Sequence, residues 1–446
     1  MAPVIWLQRG AVALLWLLVL LNCLAWRGIY WDGAAFLARM IEFGGFHDGH
    51  TARAHVLWAT QWPAVVALRL GVTDTAMLAL VYSAGLFAVP AALYHLALYR
   101  VREEPALLAA VMAIVVAVYM PTSFFIVGEY NAAYAATTAG AAIVLTARGL
   151  SLATAAGLLA LGLFCLRSYE AMLYLGPLLA AMVGWLTLRA REARSGERLV
   201  AWTAAGFFLA AAVVALVPAV REWGNDYVTR VRGAVFDFWQ NLQFMIALAT
   251  LGAVTVAMLV RPALLRGTVP VVIVTAGIAL LIAAPFRELF DLYAPSHYVA
   301  RSAAGGLLWL MLAAMWLFVA WQTAPPRLFA VLREPLVWRR LAVAVFALLL
   351  AAAVPDIALT RLWSQYLGQF RQLVASGTGV VYAEIHMPGR ASDNMFRQGW
   401  TYPALSLLLR GGPSNALVLP KHSTGEPVLY DPACGLPPFT GFAWRG

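Results

Sequence analysis

Asp32, in the run Tyr30-Trp31-Asp32-Gly33, combines a catalytic residue type with a useful position. It follows the end of the first long apolar run by about six residues, so its carboxylate is expected just beyond a membrane boundary. There it can accept a proton from an attacking hydroxyl, as general-base catalysis requires. It also precedes a helical pattern, and aspartate is a favoured N-cap, so capping is the competing role. The surrounding stretch, Trp26 to Leu70, adds His47, Asp48, His50 and His55. His47 and His50 with Asp48 between them are donor types that suit a divalent cation. Gly45 and Gly49 flank them and no helical spacing is fixed, so a substrate contact or a polar turn fits as well, and no metal site is assigned.

Three further groups carry charge at the ends of apolar runs. Glu129 sits in the brief apolar turn Phe124 to Asn131, where an acid is costly unless it is paired or used. It can position an acceptor or a cation beside Asp32, or pair with an arginine. Arg167 and Glu170 stand at i and i+3, a spacing that favours mutual pairing, with a phosphate contact for Arg167 as the alternative. Arg287, with Glu288 and Asp291, and then His297 and Arg301 fill a later loop. A departing phosphate needs cationic donors at the membrane surface, and arginine suits that geometry. Arg301 and His297 are the preferred pair, against the plainer role of interfacial anchors.

The elements that must position these groups are membrane helices. The 446 residues are 63% hydrophobic and only 12% charged, whereas soluble domains are roughly 45–50% apolar and about 25% charged. Apolar runs at 11–26, 76–98, 106–121, 131–147, 152–166, 171–188, 200–219, 242–260, 268–285, 303–321 and 341–355 predict eleven crossings, with the N-terminal one an uncleaved anchor. The runs lack two-residue alternation, which disfavours a β-barrel. The net charge of +10 comes almost wholly from arginine, with Lys421 the single lysine. The arginines are spread among short loops and form no basic stripe, so no nucleic-acid partner is expected.

An N-terminus in the cytoplasm places the basic loops (Arg100 and Arg102; Arg148; Arg189 to Arg198; Arg261 and Arg266; Arg327 to Arg340) all on the cytoplasmic side. Asp32, Glu129 and Arg301 then face outward, with the C-terminus on the same side. For a bacterial inner membrane that side is the periplasm. Within the first outer loop, 27–75, Ala34 to Phe43 and Val56 to Leu68 read as interfacial helices, too short or too polar to cross. Residues 1–358 are expected to form the membrane domain. Residues 359–446 are expected to form a small periplasmic α/β domain, with short strands in VVYAEIHMP, NALVLP and EPVLYDP. Its aromatics, among them Trp363, Tyr366, Tyr382, Trp400, Tyr402 and Trp444, suit sugar stacking or a core.

This layout, with an acid soon after the first helix, a long first outer loop and a C-terminal outer domain, resembles the GT-C class of integral-membrane glycosyltransferases. The resemblance covers the chain as architecture, and as motif it rests on Asp32 and the loop after it. Many members carry two adjacent acids there, whereas Gly33 follows Asp32 here. The resemblance implies an all-α polytopic enzyme with a polyprenyl-phosphate sugar as donor. It implies a periplasmic glycan, lipid or protein hydroxyl as acceptor, Asp32 as general base, and no resident cofactor beyond a possible divalent cation. An O-antigen ligase or polymerase would place its large outer loop late. A transporter or flippase of a lipid-linked glycan would show charge or broken helices at mid-membrane.

Overall fold

The computed structural model describes residues 2–47, 51–124, 127, 129–221, 238–284, 296–321, 334–382, 396, 399–410 and 415–419. Each of the eleven apolar runs lies on a helix. These helices are α1 (Ala2–Leu24), α4 (Thr75–Arg100), α5 (Pro105–Ile114), α6 (Tyr130–Thr146), α7 (Leu152–Leu166), α8 (Met172–Arg189), α9 (Ser195–Arg221), α10 (Leu242–Val260), α11 (Val269–Ala283), α12 (Ser296–Trp321) and α13 (Pro335–Ser376). Among the described residues, eight are long and apolar enough to cross a bilayer, α5 counting with the turns that extend it to Thr122. α7 and α11 are apolar but shorter. α6 is buried along nearly its whole length, and its alanine-rich faces let neighbouring helices approach closely.

Helix starts are signalled chemically. The Asp74 carboxylate accepts from the amides of Ala76 and Met77 at the head of α4, and the Asn241 side chain accepts from the Phe244 amide at the head of α10. Pro105 and Pro335 open α5 and α13, where a missing N–H removes nothing. α4 packs against α1 and α6, α7 and α8 both lie on α9, and α13 runs along α5 and α11. Large apolar side chains such as Leu20, Leu24, Leu209, Val213, Leu259 and Val272 remain exposed on the rim helices. So much bare apolar surface is stable only against lipid.

The two short helices expected in the first loop are present as α2 (Asp32–Phe43) and α3 (Ala54–Arg69). α2 buries Ala34, Leu37, Ala38, Met40 and Ile41 on one face and pairs Arg39 with Glu42 at 2.7 Å on the other. α3 rests on α4 and buries Gln61 and Thr60.

The last helix departs from expectation. The chain does not leave the helix near residue 355, and α13 runs on through Pro355 and Asp356 to Ser376. At 1.5 Å per residue, the twenty residues beyond Asp356 extend it by about 30 Å. β1 (Val380–Tyr382) and β2 (Leu417–Leu419) then pair in parallel, Val380 with Leu417. The short α14 (Tyr402–Leu409) packs against α2, α4 and α13. The third expected strand, in EPVLYDP, lies outside the described residues, as does Trp444. Trp363, Tyr366 and Tyr402 are core residues here, while Tyr382 and Trp400 are exposed.

Candidate active site around Asp32

Between α1 and α2 the backbone makes two unusual turns. Trp26 has φ 51°, and Trp31 has φ 50° with ψ −126°. Bulky residues rarely adopt positive φ, and such a position is strained by about 1–3 kcal/mol. The two tryptophans bracket a short 3₁₀ turn, Arg27–Ile29, and Trp31 hands the chain directly to Asp32 at the first position of α2. The N-cap of that helix is Trp31, which makes no side-chain capping bond. Asp32 therefore stands inside the helix start rather than capping it.

Two glycines fix this segment. The Gly28 amide donates to Ser83 Oγ of α4 at 2.9 Å. Gly33 lies against the Gly28 carbonyl so closely that an added Cβ would overlap its oxygen and come within 2.8 Å of its carbon. No side chain fits at position 33. An acid next to Asp32 at position 33 is thereby excluded by contact.

A second acid arrives from elsewhere. Glu129, buried at the start of α6, raises the pKa of Asp32 by its charge. Burial is the larger cause, and together they push Asp32 up to about 6, against the opposing effects of Arg301 and Arg53. Arg53 holds the acids in place. Its Nη1 donates to Glu129 at 3.0 Å, and its Nε and Nη2 donate to Glu170 at 2.9 and 2.5 Å. Its guanidinium lies 5.5 Å from the Tyr169 ring. Arg301, in the first turns of α12, is buried, and its carbonyl accepts from Tyr134 Oη of α6 at 2.8 Å. One turn on, Gly305 lets α12 approach the hydroxyls of Tyr134 and Tyr174.

The structure thus groups Asp32, Glu129, Glu170 and Arg301 and separates the other expected residues from them. Arg167 is exposed and does not form the i, i+3 pair with Glu170, which turns to Arg53 instead. The Arg167 carbonyl accepts from the His55 amide at 3.0 Å. His47 exchanges both backbone hydrogen bonds with the Gln61 side chain, at 2.9 and 3.0 Å, and its ring lies 4.5 Å from Phe36. His47 therefore shapes the loop through its backbone. Asp48, His50 and Arg287 lie outside the described residues, as does the side chain of His297. Among the described residues no three His, Cys, Asp or Glu side chains come together as a metal site.

Arg53 is the residue that sequence reasoning misses, because nothing in the spacing ties position 53 to positions 129 and 170. Arg27 and Asp356 are missed for the same reason. Arg27 is fully buried, and its Nη1 donates to Asp356 at 3.0 Å, Asn22 at 2.9 Å and Thr360 at 2.9 Å. Its Nη2 donates to the Ser123 carbonyl at 3.0 Å, and Phe124 stacks 4.1 Å from the ion. Asp356 also accepts from Ser123 Oγ at 2.8 Å. That carbonyl is available because α5 unwinds through a π turn, Val115–Tyr119, and a 3₁₀ turn, Met120–Thr122. The unwound end offers its Pro121, Thr122 and Ser123 carbonyls to Asn241, Tyr130 and Arg27. The network ties α1, α5 and α13 together directly beneath the Asp32 turn.

Comparison with family models, with curated proteins and with solved structures returns no match for this chain.

Proposed function

We propose that this protein is a membrane glycosyltransferase of GT-C type, moving a sugar from a polyprenyl-phosphate donor to an acceptor hydroxyl. The observation that carries this reading is Asp32 itself. Its residue is half-buried and its carboxyl is held up to about 6, among a buried acid and two buried arginines drawn from four separate parts of the chain. At neutral pH such a group is ionised, yet it is a stronger proton acceptor than an ordinary aspartate.

In the proposed step the acceptor oxygen attacks the anomeric carbon as its proton passes to Asp32. The bond from that carbon to the phosphate oxygen breaks, and the phosphate leaves with the electron pair. Arg301 is the cation placed to stabilise it, and Arg53 keeps Glu129 and Glu170 oriented around the base. The arginine-rich loops at the other ends of the helices support an Asp32 side facing the periplasm.

A transporter or flippase of a lipid-linked glycan is the second reading, and the buried Arg27–Asp356 pair is the observation in its favour. That pair is also hydrogen-bonded to Asn22, Thr360 and Ser123 and locks α1 to α13, the opposite of a moving gate. Mass spectrometry of envelope glycans and lipids in a deletion strain, complemented with wild type or Asp32→Asn, tests the reading. Loss of one glycosylated species, restored by wild type and not by Asp32→Asn, is expected. Restoration by the variant removes the enzyme assignment.

A further inference from the structure

The end of the bundle opposite Asp32 carries a second cleft. α6 starts beside Glu129 and ends at Thr146, about 25 Å away along its axis. There the loop after α6, the last turns of α8 and the last turns of α12 enclose a cavity of about 360 Å3. That volume lies at the low end of the usual range for small-molecule sites. Leu145 and Val319 form an apolar wall, and Arg148 from the loop after α6 and Arg189 at the end of α8 line the cleft beside it.

Neither cation is spent on a strong partner. Arg148 reaches Glu103 only at 3.9 Å with its side chain 95% exposed, a contact of little energetic weight. Arg189 lies over the Trp185 ring at 4.6 Å, a contact that uses the face of the ion and not its N–H edge. Trp185 in turn packs edge-on against Trp316 at 6.2 Å. Two cations and an apolar wall at the rim of a helix bundle call for an anion that carries a hydrocarbon tail.

The geometry points to this cleft as a binding site for the phosphate headgroup of an anionic membrane lipid, its acyl chain lying along Leu145 and Val319. Basic pockets between membrane helices on the cytoplasmic side take such headgroups, and the arginine-rich loops gather at this end. The site is separate from Asp32 and stands whether or not the chain is a transferase.

Native mass spectrometry of the purified full chain, titrated with phosphatidylglycerol and with phosphatidylcholine of matched acyl chains, tests it. Wild type is expected to retain phosphatidylglycerol preferentially. Arg148→Gln and Arg189→Gln should each weaken that retention about fivefold, and the pair about 25-fold. Inorganic phosphate at millimolar concentration should not displace the lipid. Displacement would assign the site to a free phosphate compound instead, and unchanged retention in Arg148→Gln would overturn the site. Arg148 supports no packing, so its variant stays informative even if the Arg189 variant misfolds.

Discussion

Replacing Asp32 with Asn should leave the protein inactive and, at neutral pH, more stable. Burial and the Glu129 charge raise the Asp32 pKa from 3.8 to about 6 in the folded protein. Between those values the folded state holds a proton that the unfolded chain has released. Stability contributed by this group therefore falls as pH rises through that window and stays low above it. The full rise corresponds to about 3 kcal/mol. Asp32 keeps part of its surface in solvent, and screening there reduces the effect to about 1–2 kcal/mol. Asparagine is neutral at every pH, so the variant should match wild type near pH 4 and exceed it by about 1–2 kcal/mol at pH 7.5. Thermal unfolding of the purified proteins at both pH values, run beside a complementation assay, reads both quantities. A variant less stable than wild type at both pH values would show that Asp32 is a helix-end residue only. Near-wild-type transfer would remove the base.

Three other outcomes follow from the same contacts. Glu129→Gln removes the charge that raises the Asp32 pKa, so the acid limb of a pH–activity profile, expected near 6 in wild type, should move to lower pH; a fixed or upward-moving limb would show that the two acids are not coupled. Gly33→Ala forces a Cβ into the Gly28 carbonyl and should lower stability by about 1–3 kcal/mol or more and reduce activity with it, whereas Gly45→Ala, which meets only the Phe43 carbonyl at 3.8 Å, should stay within about 0.5 kcal/mol of wild type in the same thermal scans. Asp356→Ala leaves the Arg27 charge buried without its counter-ion and should destabilise by about 3–5 kcal/mol. The double variant Arg27→Met with Asp356→Leu should recover most of that loss, and failure to recover would place the effect in packing and not in charge.

The legible parts of the fold were those written in local properties. Hydropathy over some twenty residues marks a helix without reference to the rest of the chain, so all eleven apolar runs fall on helices. The apolar stripe of Ala34 to Phe43 predicts α2 for the same reason. The place of Asp32, at the head of a helix just after the first run, was legible because its distance from that run is itself local. The partners around it were not. Arg167 and Glu170 have the spacing of a helical pair, yet a turn separates α7 from α8, and Glu170 meets Arg53 across 117 positions. The last apolar run ends at 355, but the Asp356 carboxylate meets Arg27 and the helix passes straight through. Charges buried in a helix bundle choose partners by depth and facing, which single-sequence spacing does not encode.

The backbone around Asp32 bears on whether the residue or the helix is the feature being held. Starting an interfacial helix needs nothing more than an extended residue followed by a turn, and Ser151 and Asn241 do this elsewhere in the chain with ordinary backbone angles. The start of α2 instead uses two tryptophans at positive φ, a glycine pressed onto a carbonyl, and a buried guanidinium beneath the turn. Strain of about 1–3 kcal/mol at each tryptophan persists only where the surroundings over-determine it. The Arg27 network and the packing of α14 on α2 supply that constraint. What this arrangement achieves, and a relaxed helix start would not, is a carboxylate delivered beside Glu129 and Arg301 while still reaching solvent. The position of one side chain is what the strain secures. That constraint is what the proposed base at Asp32 requires, and it also accounts for the second acid: once Gly33 must lie on Gly28, a partner for Asp32 can come only from across the bundle.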